Sequence, residues 1–379
     1  MTEYIKIKNF GPIEDVELDN IAPLTILVGN SGSGKSTILK VLSLFRWIYK
    51  RVVLRSYVKQ AKINKTGLGI QIKTLLKTSG LDEYWKTSTE IIYRRGDYEI
   101  IYRNNKLNAQ ALIPQAQLSL EKICFISDKR SMVPDIVNHK AEYRIANYHL
   151  KDTVENFLLA SSIISELPID FLNVRFETHK SNAGTQYYIR GYNGNKFSIT
   201  LKNSSSGTQS TVPLNIIVEY YAKYFDPKKS MDSSLFKYLQ DNDRLKDFNT
   251  AQNIGEIEQK NVHILIEEPE LSLDPDSQCQ MIDKLIDSCF IYKHQYNMTL
   301  MMATHSPYIV NYINLLLKKW QTQEANVEGV KLNPCNVDVY HIIDGKAISL
   351  KIGTDASILI DTRLMSDTIS EIYKEYNRL

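Results

Sequence analysis

Apolar and polar residues alternate with period two through "YIKIKNF" and "EDVELDN", on either side of "GPI", so the chain is expected to open with an antiparallel strand pair. "LTILVG", Leu24 to Gly29, is an unbroken apolar run, the pattern of a strand buried on both faces. "KSTILKVLSLFRWIYKRVVL" has helical spacing, which continues from about 52 to 80 with a break at "KTGLG". Two alternating runs around Gly96-Asp97 predict a hairpin, and "KICFISD", Lys122 to Asp128, reads as another buried strand. Helical spacing returns from Lys151 to Glu166. Three short strands follow across "FLNVRFETHKSNAGTQYYIRGYNGNKFSITLKN", and "SSSGTQSTVPLNIIVEYYAKYF" reads as a loop opening a helix. Residues 227–261 are polar and weakly periodic, as in an insertion, a lid or a plain surface loop. Beyond them lie a strand from Val262, a helix over 276–291, the strand "MTLMMATH", a helix after Pro307, the strands "VDVYHIID" and "KAISLKI", and a C-terminal helix.

This alternation of strands and helices predicts one α/β domain over 1–379. Residues 1–50 and 262–379 would form one lobe, and 51–261 a helical and hairpin lobe. The content of 43% hydrophobic and 23% charged residues is that of a globular chain, which excludes a disordered one. No apolar run approaches the length of a membrane span, and the N-terminus lacks the apolar core of a signal peptide. Cys124, Cys279, Cys289 and Cys335 have no metal-ligand spacing and read as free thiols, so a cytoplasmic location is expected. The net charge of +3 conceals an asymmetry, because Asn20 to Leu81 holds no Asp or Glu and carries eleven Lys or Arg. Such a segment suits binding to a polyanion such as DNA, or a solvated helical face beside a phosphate site.

"GNSGSGKST", Gly29 to Thr37, fits G-x-x-x-x-G-K-[ST] without mismatch, after a strand and before a helix. Gly29, Asn30, Ser31, Gly32, Ser33, Gly34 and Thr37 would curl their backbone N–H groups around the phosphates of ATP. Lys35 would reach the β- and γ-phosphates, and the Ser36 hydroxyl would bind Mg²⁺. A second feature is "VHILIEEPELSLDPDSQ", an apolar strand ending in two carboxylates. Glu267 would hold Mg²⁺, directly or through water, and Glu268 would take a proton from the attacking water. His305, in "ATHSP" at the end of the next apolar strand, is placed to contact the γ-phosphate. "NSSSGTQS" puts Ser206 and Gly207 at a helix N-terminus, a second anion site best used on the nucleotide of another subunit.

Together these strings resemble the ABC-type ATPases. They are most similar to the soluble branch that includes RecF, SMC-type proteins, and the OLD-family and related AAA ATPases of bacterial defence systems. The resemblance rests on "IKNFGPI", the Walker A loop, the signature "SSSGTQS", the Walker B strand "ILIEEPE", the D-loop "LSLD" and the switch histidine in "ATHSP". It implies a P-loop fold of ABC/SMC-head type, with a mixed central sheet, antiparallel N-terminal strands and a helical lobe carrying the signature. It also implies a homodimer or higher even-numbered oligomer with ATP at the interface. Ser206, Gly207 and Gln209 would act in trans, Asp274 would lie at the seam, and Lys8 and Asn9 would lie near the base or ribose. The chain departs from the pattern after "KICFI", where Ser127, Asp128, Lys129 and Arg130 stand instead of the Q-loop glutamine.

"EEPE" is typical of the OLD-like, defence-associated group. The stretch after His305 is short for a Toprim nuclease domain, and Asp338, Asp344, Asp355 and Asp361 are scattered, so no intrinsic nuclease is expected. The reading is an ATP-binding and ATP-hydrolysing dimerising switch of an anti-phage or toxin–antitoxin-like system, controlling a separately encoded nuclease or toxin. The alternative is a RecF-like repair ATPase whose segment 20–81 tracks DNA. The hairpin at 88–107 and the insertion at 227–261 would be the specificity surfaces.

Overall fold

The unbroken apolar runs become the middle of one large sheet. In the computed structural model, residues 2–60, 70–137, 147–182, 184–191, 194, 196–241, 257–322, 329–354 and 358–378 are described. Five strands run parallel: β3 (Leu24–Val28), β7 (Ser119–Ile126), β12 (Gln259–Glu267), β13 (Asn297–Thr304) and β14 (Val337–Ile343). A wing that is antiparallel except for the parallel β2–β15 contact joins them: β1 (Glu3–Phe10), β2 (Ile13–Leu18), β4 (Glu90–Arg95), β5 (Tyr98–Arg103), β6 (Lys106–Asn108) and β15 (Lys346–Ser349). The order across all eleven is β6-β5-β4-β1-β2-β15-β14-β3-β13-β12-β7. β3 is buried on both faces, as its sequence requires: Leu24, Ile26 and Val28 face one core and Leu27 the other.

Helix α1 (Lys35–Gln60) covers the Leu27 face, and α2 (Ile72–Thr78) packs beside it. The opposite face meets the helical lobe. This lobe contains the short α3 (Val133–Ile136), α4 (Tyr148–Ile163), α5 (Ser206–Lys223) and a four-stranded antiparallel sheet of β8 (Glu166–Ile169), β9 (Val174–Ser181), β10 (Gly184–Gly191) and β11 (Ser198–Thr200). Phe157 of α4 and Phe176 and Tyr187 of the small sheet share one cluster with Leu24, Ile26 and Val28. The lobe therefore has no separate core and is fixed to the nucleotide-binding sheet by apolar burial.

Two expectations are corrected. The hairpin at 88–107 and strand β7 were assigned to the second lobe, but both are hydrogen-bonded into the main sheet, through β1 and β12 respectively. The hairpin alternates and buries Ile91, Tyr93, Ile100 and Tyr102 on the α1 side, whereas β7 is buried on both faces, with Phe125 in one core and Cys124 and Ile126 in the other. The polar stretch from 227 does not begin as a loop. It opens with α6 (Pro227–Asp241), whose Leu235 is buried and whose Met231 packs on the α1-side core. Two apolar residues four apart suffice to dock one helical stripe and are too few to give a strong periodic signal. Residues 242–256 of the expected insertion, and the "KTGLG" break with Lys62 and Lys65, lie outside the described residues.

A buried polar network joins the wing to the parallel strands. Arg46 of α1 donates from Nε and Nη2 to the two Glu3 carboxylate oxygens at 2.8 and 2.7 Å, and Tyr93 donates to the same carboxylate. Arg95 lies between Glu3 and Glu121, and Glu121 accepts from His263 Nε2 at 2.7 Å. An ionised carboxylate only accepts, so His263 Nε2 carries the proton. Nδ1 then accepts from the Thr299 hydroxyl at 2.8 Å. The network absorbs charge that the sequence suggested was on the surface. Lys35, Arg46 and Arg55 are buried and Lys40 is paired, whereas Lys59, Lys73 and Lys77 are exposed, so only part of segment 20–81's charge reaches the surface. No described helix is long and apolar enough to cross a membrane.

Burial pushes the His263 imidazole down to about 4, against the pull of Glu121. The neighbouring Glu121 carboxyl goes down to about 2, because Arg95 and His263 outweigh the burial that would raise it. Both groups bind fewer protons folded than unfolded at mildly acid pH, so stability is full above the unfolded histidine value and falls as protons are forced on. The melting temperature should hold near pH 7 and decline between about pH 6.5 and 4, the His263 share being on the order of 3 kcal/mol. In His263→Gln, which keeps a donor for Glu121, that part of the pH dependence should vanish in thermal melts across the same range.

Candidate nucleotide site

The chemistry-bearing residues gather because the parallel strands end in register. Val28 pairs with Thr304 and His341, Glu267 with Ala303, and Ile266 with Ile126. The carboxyl ends of parallel strands are where α/β sheets bind ligands. In the strand order, β13 lies between the P-loop strand β3 and the acidic strand β12. His305 therefore stands between Lys35 and the acids.

The P-loop backbone is shaped for glycine. Gly29, Gly32 and Gly34 have φ of 148°, 79° and 106°, and a Cβ on Gly29 would lie 2.4 Å from Ile342 O. Pro12 and Ile13, in the β1–β2 turn, close on Gly34. Asn30 and Ser31 are exposed at the loop tip, and Thr37 is buried behind it. Lys35 Nζ donates to Gly29 O at 2.8 Å and Asn30 O at 2.9 Å, and lies 3.5 Å from His305 Nδ1. Burial pushes the Lys35 ammonium down to about 8, while Glu268 and Glu270 pull it back up. A buried cation held only by carbonyls, beside the unpartnered Ser33 hydroxyl, fits a site for phosphate oxygens.

Glu267 is buried at the end of β12. The Ser36 hydroxyl hydrogen-bonds its carboxylate, Lys40 pairs with Oε1 at 3.3 Å, and the Asp128 N–H reaches Oε2 at 3.4 Å. Burial pushes the Glu267 carboxyl up. When Glu267 is protonated it donates to the Asp128 carboxylate, which is held low despite burial by hydrogen bonds from Ser127 and Glu267. Ser36, Glu267 and Asp128 form the oxygen-rich edge that suits Mg²⁺, which keeps several waters and phosphate oxygens in its shell. Among the described residues, no three His, Cys, Asp or Glu form a self-sufficient metal cage, and Asp355 lies outside them.

Glu268 has φ of 45°, a left-handed conformation uncommon outside glycine. Its N–H donates to Ala303 O at 2.8 Å, and its carboxylate stands 3.7 Å from His305 Nε2. Glu270 accepts the His305 N–H at 2.7 Å. This turn is clamped by Arg130, a fully buried guanidinium. It donates to Glu267 O at 2.7 Å, Glu268 O at 2.6 Å, Pro269 O at 3.4 Å, Ser127 O at 3.3 Å and Ser210 O at 3.0 Å. Burial pushes it down to about 10. Arg130 thus ties the segment after β7 to the acidic turn and to α5. Where a Q-loop glutamine was expected, Asp128 touches the metal-side acid and Arg130 makes the link to the helical lobe.

The signature residues serve first in the fold. Ser205 caps α5, and its hydroxyl accepts from Thr208 N. Ser206 is exposed just after it. Gly207 abuts the loop beyond the acids, where an added Cβ would lie 2.7 Å from Ser272 O. Gln209 turns back and donates to Lys202 O at 2.7 Å and Ser204 O at 3.0 Å. Asp274 is exposed and caps α7 (Pro275–Ile286), accepting from Asp276 N, Ser277 N and Ser277 Oγ. Lys8 pairs with Asp15, and Asn9, at φ 51°, donates to Ser88 O. None of these side chains hydrogen-bonds the P-loop among the described residues.

Sequence reasoning missed Lys40, Glu270 and His341, and marked Arg130 only as standing in place of the Q-loop glutamine, without its clamping role. His341, in β14, pairs with Val28, is pushed down by burial and by Lys35, and has a buried Nδ1 without a hydrogen-bond partner. Only Glu270, the third acid of "EEPE", carried a local signal.

The profile of the family described as "AAA ATPase domain" matches residues 1–165 and 76–310. Among solved structures, the chain is similar to an SMC head bound to the C-winged helix domain of ScpA, at 12% identity over 92% of this chain and 98% of that one, with a TM-score of 0.35. The SMC head domain from Thermotoga maritima matches at 11% identity over 93% and 100%, with a TM-score of 0.35. The recombination mediator RecF of the RecFOR pathway matches at 13% over 92% and 98%, with a TM-score of 0.32. No curated protein sequence matches the chain.

Removing the Arg130 guanidinium strands buried carbonyls on two lobes. Arg130→Met should cost about 3 kcal/mol or more in denaturant unfolding, and Arg130→Lys should recover only part of it, because an ammonium cannot span five carbonyls in a plane.

Proposed function

This chain belongs to the AAA ATPase domain family, and on that premise we propose that it binds and hydrolyses ATP as a dimerising switch that controls a separate effector protein. The observation that carries the reading is the convergence of Lys35, His305 and Glu268 at the ends of adjacent strands, with His305 3.5 Å from the lysine and 3.7 Å from the acid.

In this reading Lys35 leaves the Gly29 and Asn30 carbonyls for the β- and γ-phosphates. Glu268, half-exposed and fixed by its clamped backbone, accepts the proton of the attacking water. His305, oriented through Glu270, contacts the γ-phosphate. Mg²⁺, held by Ser36 and Glu267 with Asp128 alongside, would neutralise phosphate charge. The exposed Ser206 and the N–H of Gly207 complete the site of a second copy, and Asp274 lies at the seam. Arg130 supports the switching role, because it makes the acidic turn and the signature helix one mechanical unit.

The assignment to a bacterial defence system rests on the "EEPE" string and on the resemblance it carries. The RecF-like alternative, with DNA tracking segment 20–81, is weakened because Lys35, Arg46 and Arg55 are buried and Lys40 is paired, which leaves Lys59, Lys73 and Lys77 as its exposed described cations.

Lys35→Ala should abolish nucleotide binding in a fluorescent-ATP titration. Glu268→Gln should retain binding, lose hydrolysis by a factor of about 100 or more, and accumulate an ATP-bound dimer in light scattering. Native turnover in that variant would refute Glu268 as the base. Tagged Glu268→Gln purified with Mg-ATP should carry a companion protein that survives nuclease treatment, whereas DNA alone would favour the repair reading. Ser206→Arg should fold normally and fail to dimerise with ATP, and an unchanged dimer would refute the role of the signature in trans.

A further inference from the structure

Behind the P-loop helix lies a cavity of about 330 Å³ between α1, α2, β7 and α4, lined by Trp47, Lys50, Lys122, Tyr148, His149 and Asp152 among others. Its size is at the lower end of small-molecule sites. The cavity is separate from the nucleotide site: none of the P-loop residues, Glu267, Glu268 or His305 lines it.

Its polar groups are unbalanced. Lys50 makes no hydrogen bond or short ion pair among the described residues; Lys122 repels it, and Glu121 and Asp152 attract it only at longer range. Lys122 lies over the face of Tyr221 at 5.3 Å and is within electrostatic reach of Asp152. The single acid, Asp152, is turned to the backbone, where it accepts from Phe125 N at 2.9 Å. His149 is buried with 4% exposure, and neither ring nitrogen completes a hydrogen bond of normal geometry, the weak approach to the Ser79 backbone included. Burial pushes that imidazole down to about 3, so it is neutral and adds a polar edge rather than a third charge. The remaining wall is apolar: Leu44, Leu75 and Ile123 with the Trp47 ring. Two partly buried ammonium groups and an unpartnered imidazole line one largely apolar pocket against a single lining carboxylate, which leaves it short of hydrogen-bond acceptors and net cationic.

We propose that this cavity is a binding site for a small amphiphilic anion, one phosphate or carboxylate head on a compact apolar body. The head sits between Lys50 and Lys122 with the His149 imidazole as a further hydrogen-bond partner, and the body lies against Trp47 and Leu75. The site stands whether or not the chain hydrolyses ATP. α1 nevertheless carries both Lys50 and Lys40, the partner of Glu267, so occupancy bears on a helix that the nucleotide site also uses.

Phenyl phosphate is the probe, titrated by calorimetry into the full chain and into Lys35→Ala, in which the P-loop cradle is disabled. Binding should persist in Lys35→Ala, weaken about tenfold or more in Lys50→Met and in Lys122→Met, and be at least tenfold weaker for inorganic phosphate. Thr78→Trp, an exposed position at the cavity rim, should block binding while leaving both charges and the thermal melt intact. Binding that disappears in Lys35→Ala, or that survives Thr78→Trp, would overturn the proposal.

Discussion

The rest of the site depends on one guanidinium with no acidic hydrogen-bond partner. Arg130 is fully buried and spends its donors on backbone carbonyls of three segments: the turn after β7, the acidic turn after β12, and helix α5. A carboxylate partner would have fixed it to one side chain. Carbonyls fix it to the chain path itself, so the planar fork sets the relative position of the segments rather than of two mobile tips. The positive φ of Glu268 is tolerated there because carbonyls on either side of it are held, by Arg130 and by the ladder to β13.

The second constraint is the Glu3–Arg46–Arg95–Glu121–His263 network beneath the sheet. It crosses from the antiparallel wing through α1 to the parallel strands, satisfying each charge with its neighbours. Such groups are costly to bury singly, so the network specifies one register of the wing against the parallel strands. The β1–β2 turn that closes on Gly34 is thereby held in place.

Much of this was legible in the sequence, for a physical reason. The P-loop, the paired acids and His305 each follow a short apolar strand, so strand and chemistry sit in one contiguous string. The signature string was readable as a helix start, and Ser205 and Ser206 stand there. What could not be read came from pairs far apart in the chain. Arg130 and Ser210, Lys40 and Glu267, and Glu121 and His263 meet only once the sheet order is known, and β13 between β3 and β12 is a fact of topology that no local pattern carries. The apolar pair of α6 was too sparse to announce a helix.

The meeting of Gly207 with Ser272 bears on how the family can vary. The signature helix touches the loop beyond the acids through a backbone oxygen, 2.7 Å from where a Cβ on Gly207 would stand. The close contact reads the path of that loop at Ser272, with the Leu273 side chain the next neighbour at 3.9 Å. Substitutions at 272 that respect its φ of 61° are invisible to the helix, whereas almost none is permitted at 207. Drift between the two loops is therefore one-sided: the loop beyond the acids can diversify toward new neighbours while the helix start stays fixed.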